Sequence, residues 1–381
     1  MPHPLPAGST IAHLIETDGP GGAERVVAYL ISRLAEEGFQ NVALLPAAGE
    51  GWLAKQLPQA SVEIVHIPLL GVPIRHSLQA VVATLRRTSP LVVHSHEFTM
   101  SVLGSAACWR LKLPHIITMH GGRYHATRPY RRVALGVAAR CASRIVAVSQ
   151  TFAERLAKDL LLRTARIHVV HNGIPPIPHV VPTLRAELGL PAGAPLVLAV
   201  GNLYPVKGHA HLLRAVASLP MPLRNQLHVA IAGRGEEEQT LRSLAAALGI
   251  ESRIHLLGLR TDIPNLLRSA TLFVLPSLSE ALPLALLEGM RAGLPVIASR
   301  VGEIPAVLQF GKAGILVAPG DATDLARALS VVLTDPGRAR ALADHGERVA
   351  AEYYSIEQMA DRYRDVYARA GMGPARTHTP T

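Results

Sequence analysis

Leu272-Phe-Val-Leu-Pro-Ser-Leu-Ser-Glu-Ala-Leu-Pro-Leu-Ala-Leu-Leu-Glu-Gly-Met-Arg-Ala-Gly-Leu-Pro-Val-Ile-Ala298 reads as a strand, a helix and a second strand. Leu272–Leu275 and Val296–Ala298 are short β-branched or Leu-rich runs, and the segment between them has helical character. The helix is expected to begin at Ser279 or Glu280 and to end where Gly293 and Pro295 stop it. From Pro276 to Ser299 the only charged residues are Glu280, Glu288 and Arg291. So apolar a helix belongs in an interior, where a carboxylate without a partner is expensive. Arg291 could pair with Glu288, three residues away, but cannot easily serve Glu280 as well. A ligand hydroxyl is therefore expected for at least one glutamate, and replacing an unpartnered Glu280 should leave the fold intact.

The same alternation extends in both directions. Strands are expected near Val197–Val200, Val229–Ala232, Ile254–Leu257 and Ile315–Val317, with helices between them. Before these, Asn172–Pro182 contains Gly173, Pro175, Pro176, Pro178 and Pro182, a run that cannot continue a helix or central strand and reads as a linker. Further strands are expected near Ile11–Ile15, Val42–Leu45, Val62–Ile67, Leu91–His94, Ile116–Thr118, Ile145–Val148 and Val169–His171, with helices such as Glu24–Glu37 and Gln150–Leu161. These are two sets of βαβ units, hence two parallel sheets, and ligands of such sheets bind at the carboxyl ends of the strands. The expected domains are residues 1–176 and 177–355. A last segment, 356–381, holds an amphipathic helix that closes the second domain or crosses back to the first, then a flexible tail.

With 381 residues, 49% of them hydrophobic and 17% charged, the chain can build two cores, and wholesale disorder is excluded. Cys108 and Cys141 provide neither a disulfide framework nor a zinc ligand set. The first nine residues do not read as a signal peptide, and Ile167–Leu184, though uncharged, is broken by Gly173 and prolines. A cytoplasmic protein, soluble or peripheral on the cytoplasmic membrane face, is expected. The net charge of +10 is unevenly placed, because Ser101–Arg166 carries twelve basic residues against only Glu154 and Asp159. This reads equally as a solvated face or as a surface for an anionic membrane, and nucleic acid is not an expected partner.

Gly19-Pro-Gly-Gly-Ala-Glu24 follows the first strand and opens a helix, and Val200-Gly-Asn-Leu-Tyr-Pro-Val-Lys-Gly208 repeats that arrangement with a lysine suited to phosphate. His120 ends a strand. His94 and His96 have metal-like spacing without an evident third ligand and are read as structural, so no metal is expected.

Together these residues resemble glycosyltransferase family 4, retaining transferases of the GT-B fold. The resemblance runs through Gly21-Gly-Ala-Glu24, Thr118-Met-His-Gly121, Val148-Ser-Gln150, His171-Asn-Gly-Ile174, Gly201…Lys207-Gly208, Gly233-Arg-Gly235, the Glu280…Glu288 pair and Gly314-Ile-Leu-Val317. It implies two Rossmann-like domains facing each other across a cleft. It further implies a nucleoside-diphosphate sugar as substrate, a glycan or lipid-linked acceptor, and no cofactor. Lys207 would contact the diphosphate, Glu280 the sugar hydroxyls, Glu288 the ribose, and Ala281, Leu282, Pro283 and Leu284 the sugar and phosphates through their backbone. Gly21 and Gly22 would lie at the diphosphate and His120 at the sugar, with the base against Gly258–Asp262, which includes Arg260. Asn202 stands where the family usually has Arg, so Arg234 is a candidate for the missing cation. Ala281-Leu282-Pro283 replaces a common glycine-aromatic-glycine run, and Glu303 a usual glycine. An epimerase or hydrolase on the same fold, or an inactive binding module, are the alternatives.

Overall fold

The computed structural model describes residues 5–371 except 7, 50, 70 and 122–127. It divides into two compact units: Met1–Gly173 with Ile356–Thr381, and Ile174–Ser355. The chain passes between units twice, inside the proline-rich stretch and before the last helix. At the second unit's end of both passages, Ile174 donates its N–H to the Tyr354 carbonyl at 2.9 Å.

The first unit holds β1 (Thr10–Ile15), β2 (Gln40–Pro46), β3 (Val62–Ile67), β4 (Val92–His96), β5 (His115–Met119), β6 (Arg144–Ala147) and β7 (Ile167–Val169). They form one parallel sheet in the order β3-β2-β1-β4-β5-β6-β7. Both faces are covered, as an all-parallel sheet requires. Val42 and Leu44 of β2 enter a core with Val81, Leu85, Met100 and Leu103, while Ala43 and Leu45 enter another with Val27, Ile31 and Leu53.

The second unit holds β8 (Leu196–Val200), β9 (His228–Ala232), β10 (Ile254–Gly258), β11 (Leu272–Leu275), β12 (Val296–Ser299) and β13 (Ile315–Val317), parallel in the order β10-β9-β8-β11-β12-β13. Each sheet reverses its winding once, between β1 and β4 and between β8 and β11. Such switch points open a crevice at the strands' carboxyl ends.

The helix after β11 departs from the sequence reading, for it spans Leu284–Arg291 and begins about one turn late. Pro283 disfavours helical geometry at Leu282, and Pro283 itself is extended at φ −73°, ψ 124°. Glu280 consequently lies in a loop. Gly289 lets the helix approach β11, since a Cβ there would stand 2.7 Å from the Phe273 ring.

The last helix, Ile356–Gly371, packs on the first unit. Its buried Tyr367 hydroxyl lies 2.8 Å from His94 Nδ1, and Tyr363 lies 3.3 Å from Thr118 Oγ1, which in turn meets His94 Nε2 at 2.7 Å. Replacing Tyr367 by Phe strands a buried imidazole nitrogen, so Tyr367→Phe should destabilise the protein by about 1–3 kcal/mol. Urea unfolding checks this; an unchanged midpoint would show that the hydroxyl is dispensable.

Candidate active site

The loops after β8, β9, β11 and β12 are locked main chain to main chain. Gly208 is left-handed (φ 67°), and a Cβ there would strike the Pro276 carbonyl; Leu278 N–H donates to Val206 O at 2.7 Å. Gly302 (φ 53°) packs in the same way on the Glu280 carbonyl, and Glu303 N–H holds Ala281 O at 3.1 Å. Gly233 and Gly235 press on the carbonyls of Gly201 and Leu203, and Leu203 N–H donates to Arg234 O at 2.9 Å. Of the glycines singled out in the sequence, Gly208, Gly233 and Gly235 thus mark close approaches of backbone.

This lock brings Lys207, from the loop after β8, to Glu280, from the loop after β11. Lys207 Nζ donates to Glu280 Oε1 at 2.6 Å, and Ser277 Oγ donates to the same oxygen at 2.8 Å. The unpartnered acid expected at Glu280 is therefore corrected: a lysine already serves it. Both groups sit at the sheet's switch point, and both are largely buried. Leu282, Leu284 and Glu288 are buried, Pro283 caps the helix, and Asn202 and Arg234 are exposed on neighbouring loops. Among the described residues Arg291 Nε is buried without a hydrogen-bond partner.

Arg260, beyond edge strand β10, is occupied elsewhere. Its guanidinium makes bidentate bonds to Asp262 (2.8 and 2.7 Å) and to Glu187 (2.5 and 3.0 Å). These carboxylates raise its pKa, and the guanidinium in turn holds the Asp262 carboxyl well below the usual carboxylate range. The side chain clamps loop to helix and is not brought to the Lys207–Glu280 pair.

In the first unit, Gly21 precedes the helix Gly22–Glu36, and a Cβ on Gly21 would strike the Glu24 carboxylate, which accepts from Thr17 Oγ1. A Cβ on Gly22 would meet nothing within 4 Å, so this glycine faces open space. His120 directly follows β5: its N–H donates to Glu97 Oε1 at 2.9 Å, its Nε2 lies 3.0 Å from His96 Nδ1, and its buried Nδ1 has no partner among the described residues. Gly122 and Arg123 lie outside the described residues.

His94 and His96 acquire a third neighbour that sequence spacing could not show. His13 pairs with His94 across β1 and β4, and one nitrogen from each of the three rings lies within 4.8 Å of the others. Both nitrogens of His94 are engaged by Tyr367 and Thr118, and among the described residues no acid or thiol joins the group, so it reads as a buried polar seam.

Residues 180–349 match the family described as glycosyl transferases group 1, and residues 20–176 match glycosyltransferase family 4. The alpha-maltose-1-phosphate synthase of Mycolicibacterium smegmatis is 30% identical, over 73% of this chain and 79% of its own. The chain belongs to the group 1, family 4 glycosyltransferases. The lipopolysaccharide core biosynthesis glycosyltransferase LpsE of Rhizobium meliloti is 28% identical over 91% of this chain and 96% of its own. Anabaena HepE, solved in complex with UDP-glucose, superposes with a TM-score of 0.82 at 22% identity, covering 94% of this chain and 98% of that one, which shows the two-domain α/β GT-B fold.

Burial lowers the histidines of this glycosyltransferase's first unit: His13 and His120 to about 4, His115 to about 3, and His94 and His96 well below 6.5. The unfolded chain takes up these protons near 6.5 and the folded chain only at lower pH, so their neutrality stabilises the fold above 6.5 and acid removes that contribution. Glu97, raised to about 8 mainly by burial, works oppositely, but singly. Each such histidine shifts stability by about 1.4 kcal/mol per pH unit. Unfolding free energy should therefore fall steeply from pH 6.5 to 4, as urea titrations at stepped pH would measure; a flat profile would contradict the buried neutral seam.

Proposed function

We propose that this glycosyltransferase moves a sugar from a UDP- or GDP-sugar to a glycan or lipid-linked acceptor, with retention at the anomeric carbon, in cell-surface polysaccharide or glycolipid synthesis. The observation that carries the reading is the Lys207–Glu280 pair at the second sheet's switch point. Lys207 supplies the charge for the diphosphate, and Glu280 shares that lysine while accepting a sugar hydroxyl. Glu288 is assigned to the ribose, the start of the helix at Leu284 with Ala281, Leu282 and Pro283 to the sugar and phosphates, and Asn202 and Arg234 to the leaving group. The Arg260 side chain has no part in it. His120 Nδ1 and the open space over Gly22 are the first unit's contribution to substrate.

In the reaction the anomeric carbon–oxygen bond to the diphosphate breaks, the acceptor oxygen bonds to that carbon, and the acceptor proton passes to the leaving phosphate. Charge builds on the diphosphate, so a fixed cation there acts most strongly in the transition state. No metal is required by this reading. Lys207→Ala should lower turnover at saturating donor by roughly 100-fold or more. Glu280→Ala should nearly abolish transfer and, because it strands Lys207, lower stability as well. Assays with labelled UDP- and GDP-sugars test both: near-normal saturated turnover in either variant sinks the assignment. Free sugar, an epimer, or binding alone would instead select the hydrolase, epimerase or inactive-module alternatives.

The 110–144 stretch supports peripheral membrane contact. In the helix Pro129–Cys141, Tyr130 (58% exposed), Val133 (66%) and Val137 (57%) follow helical spacing, and Trp109 nearby is 80% exposed. Apolar residues beside Arg110, Lys112 and Arg128 suit an anionic leaflet. Arg132, Arg140 and Arg144 contribute less, since they bond to their own chain's carbonyls. No described helix is long and apolar enough to cross a membrane. Each basic residue near such a surface is worth about 1 kcal/mol. Cosedimentation with anionic vesicles should be strong at low salt, fall steeply at high salt, and weaken in Val133→Asp. Equal binding to neutral vesicles, or none to either, would return this face to solvent.

A further inference from the structure

Glu97 has a backbone conformation unlike that of the other non-glycine residues of positive φ whose ψ is known. Ser89, Lys112, Leu161 and Phe310 are left-handed helical, with ψ between 36° and 54°. Glu97 lies at φ 63°, ψ −170°, a region essentially confined to glycine. It is the first residue after β4, beside the first sheet's switch point, and precedes the helix Phe98–Leu111. Its side chain does not cap that helix. Glycine would serve there at least as well, so the helix gives no reason for a glutamate.

The strained backbone is held from several directions. Glu97 N–H donates to Thr118 O at 3.1 Å, its carbonyl accepts from Ser101 N–H at 3.2 Å and from Ser101 Oγ, and its Oε1 accepts the His120 N–H at 2.9 Å. The last bond crosses to the end of β5 and fixes the main chain from which His120 projects. That imidazole then rests on His96, stacked at 5.3 Å between centroids, with Nδ1 unpartnered among the described residues.

We propose that Glu97 is a positioning residue for His120, its carboxyl holding the His120 main chain so that the imidazole lies on His96 and presents Nδ1 to a substrate hydroxyl. This rests on the reading of His120 as a residue that meets substrate. The groups acting on the Glu97 carboxyl are Glu16 just after β1, bonded to Thr99 N and Oγ1 at 2.6 Å each, Glu24 on the helix Gly22–Glu36, and the His120 N–H. Burial, with Glu16 and Glu24 adding to it, pushes the Glu97 carboxyl up to about 8, so it is protonated at neutrality. A protonated carboxyl still accepts an N–H, and glutamine reproduces that acceptor.

The experiment compares Glu97→Gly, Glu97→Gln and His120→Ala in the full chain by saturated turnover, melting temperature and the ¹⁵N resonances of His120. Glu97→Gly releases the strain and should melt no lower than the parent. Its turnover should nevertheless fall about 10-fold or more, as misplaced catalytic groups do, and the His120 resonances should move. Glu97→Gln should keep turnover within about 3-fold, since the acceptor for His120 N–H persists. Parent-like turnover with unmoved resonances in Glu97→Gly, or a melting temperature that drops with activity in both variants, would overturn the proposal. If His120→Ala itself keeps full turnover, the substrate role of His120 fails instead, and the His120 resonances of Glu97→Gly alone decide whether Glu97 positions it.

Discussion

The second unit depends on how closely its loops approach at the carboxyl ends of β8, β9, β11 and β12. Gly208 lies on the Pro276 carbonyl, Gly302 on that of Glu280, and Gly233 on that of Gly201. A side chain at any of these would have to push two main chains apart, because no flexible group is there to yield. The 2.6 Å contact of Lys207 with Glu280 follows from this packing, since the two residues lie 73 positions apart on loops that glycine alone lets touch. Held largely out of water, the pair interacts more strongly than it would at the surface, and it enters any encounter already oriented.

The first unit solves a different problem. His13, His94, His96 and His115 lie on its central strands with almost no exposure. Burial keeps the rings neutral, and the polar atoms must then find partners within the protein. Ser95 serves His115 and Asn41 serves His13, but His94 needs Tyr367, which arrives only when the last helix returns to this unit. A segment distant in sequence is thereby tied to the sheet through hydrogen bonds that water cannot replace.

The strands were legible because buried parallel strands are nearly continuous runs of Val, Ile and Leu, and all thirteen appear within two residues or so of where those runs place them. The glycines and Lys207 were legible as loop residues, as were both glutamates as acids in apolar surroundings. Which of them would meet was not. The Lys207–Glu280 contact depends on strand order, and the sequence offers no local signal for β8 lying beside β11. The helix start was misplaced because the apolar pattern continues through Ala281 and Leu282, whereas the effect of Pro283 on its predecessor is steric. Arg260 looked available because its partner Glu187 lies 73 positions away. Glu97 gave no signal at all, since a glutamate after a strand has nothing in its spelling to indicate a glycine-like backbone.

The two switch points differ in charge, and this bears on what each can receive. In the second unit the positive groups are Lys207, which is shared with Glu280, and the start of the helix at Leu284. In the first, Glu16, Asp18 and Glu24 follow the end of β1 or begin the adjoining helix, while Glu97, after β4, is protonated at neutrality and adds no charge. Asp18 accepts from Gly51 N–H, and Thr99 and Thr17 serve Glu16 and Glu24, so the carboxylates are stabilised where they stand. A phosphate brought among them would meet like charge. A hydroxyl, which can donate to a carboxylate and accept from an imidazole, would not.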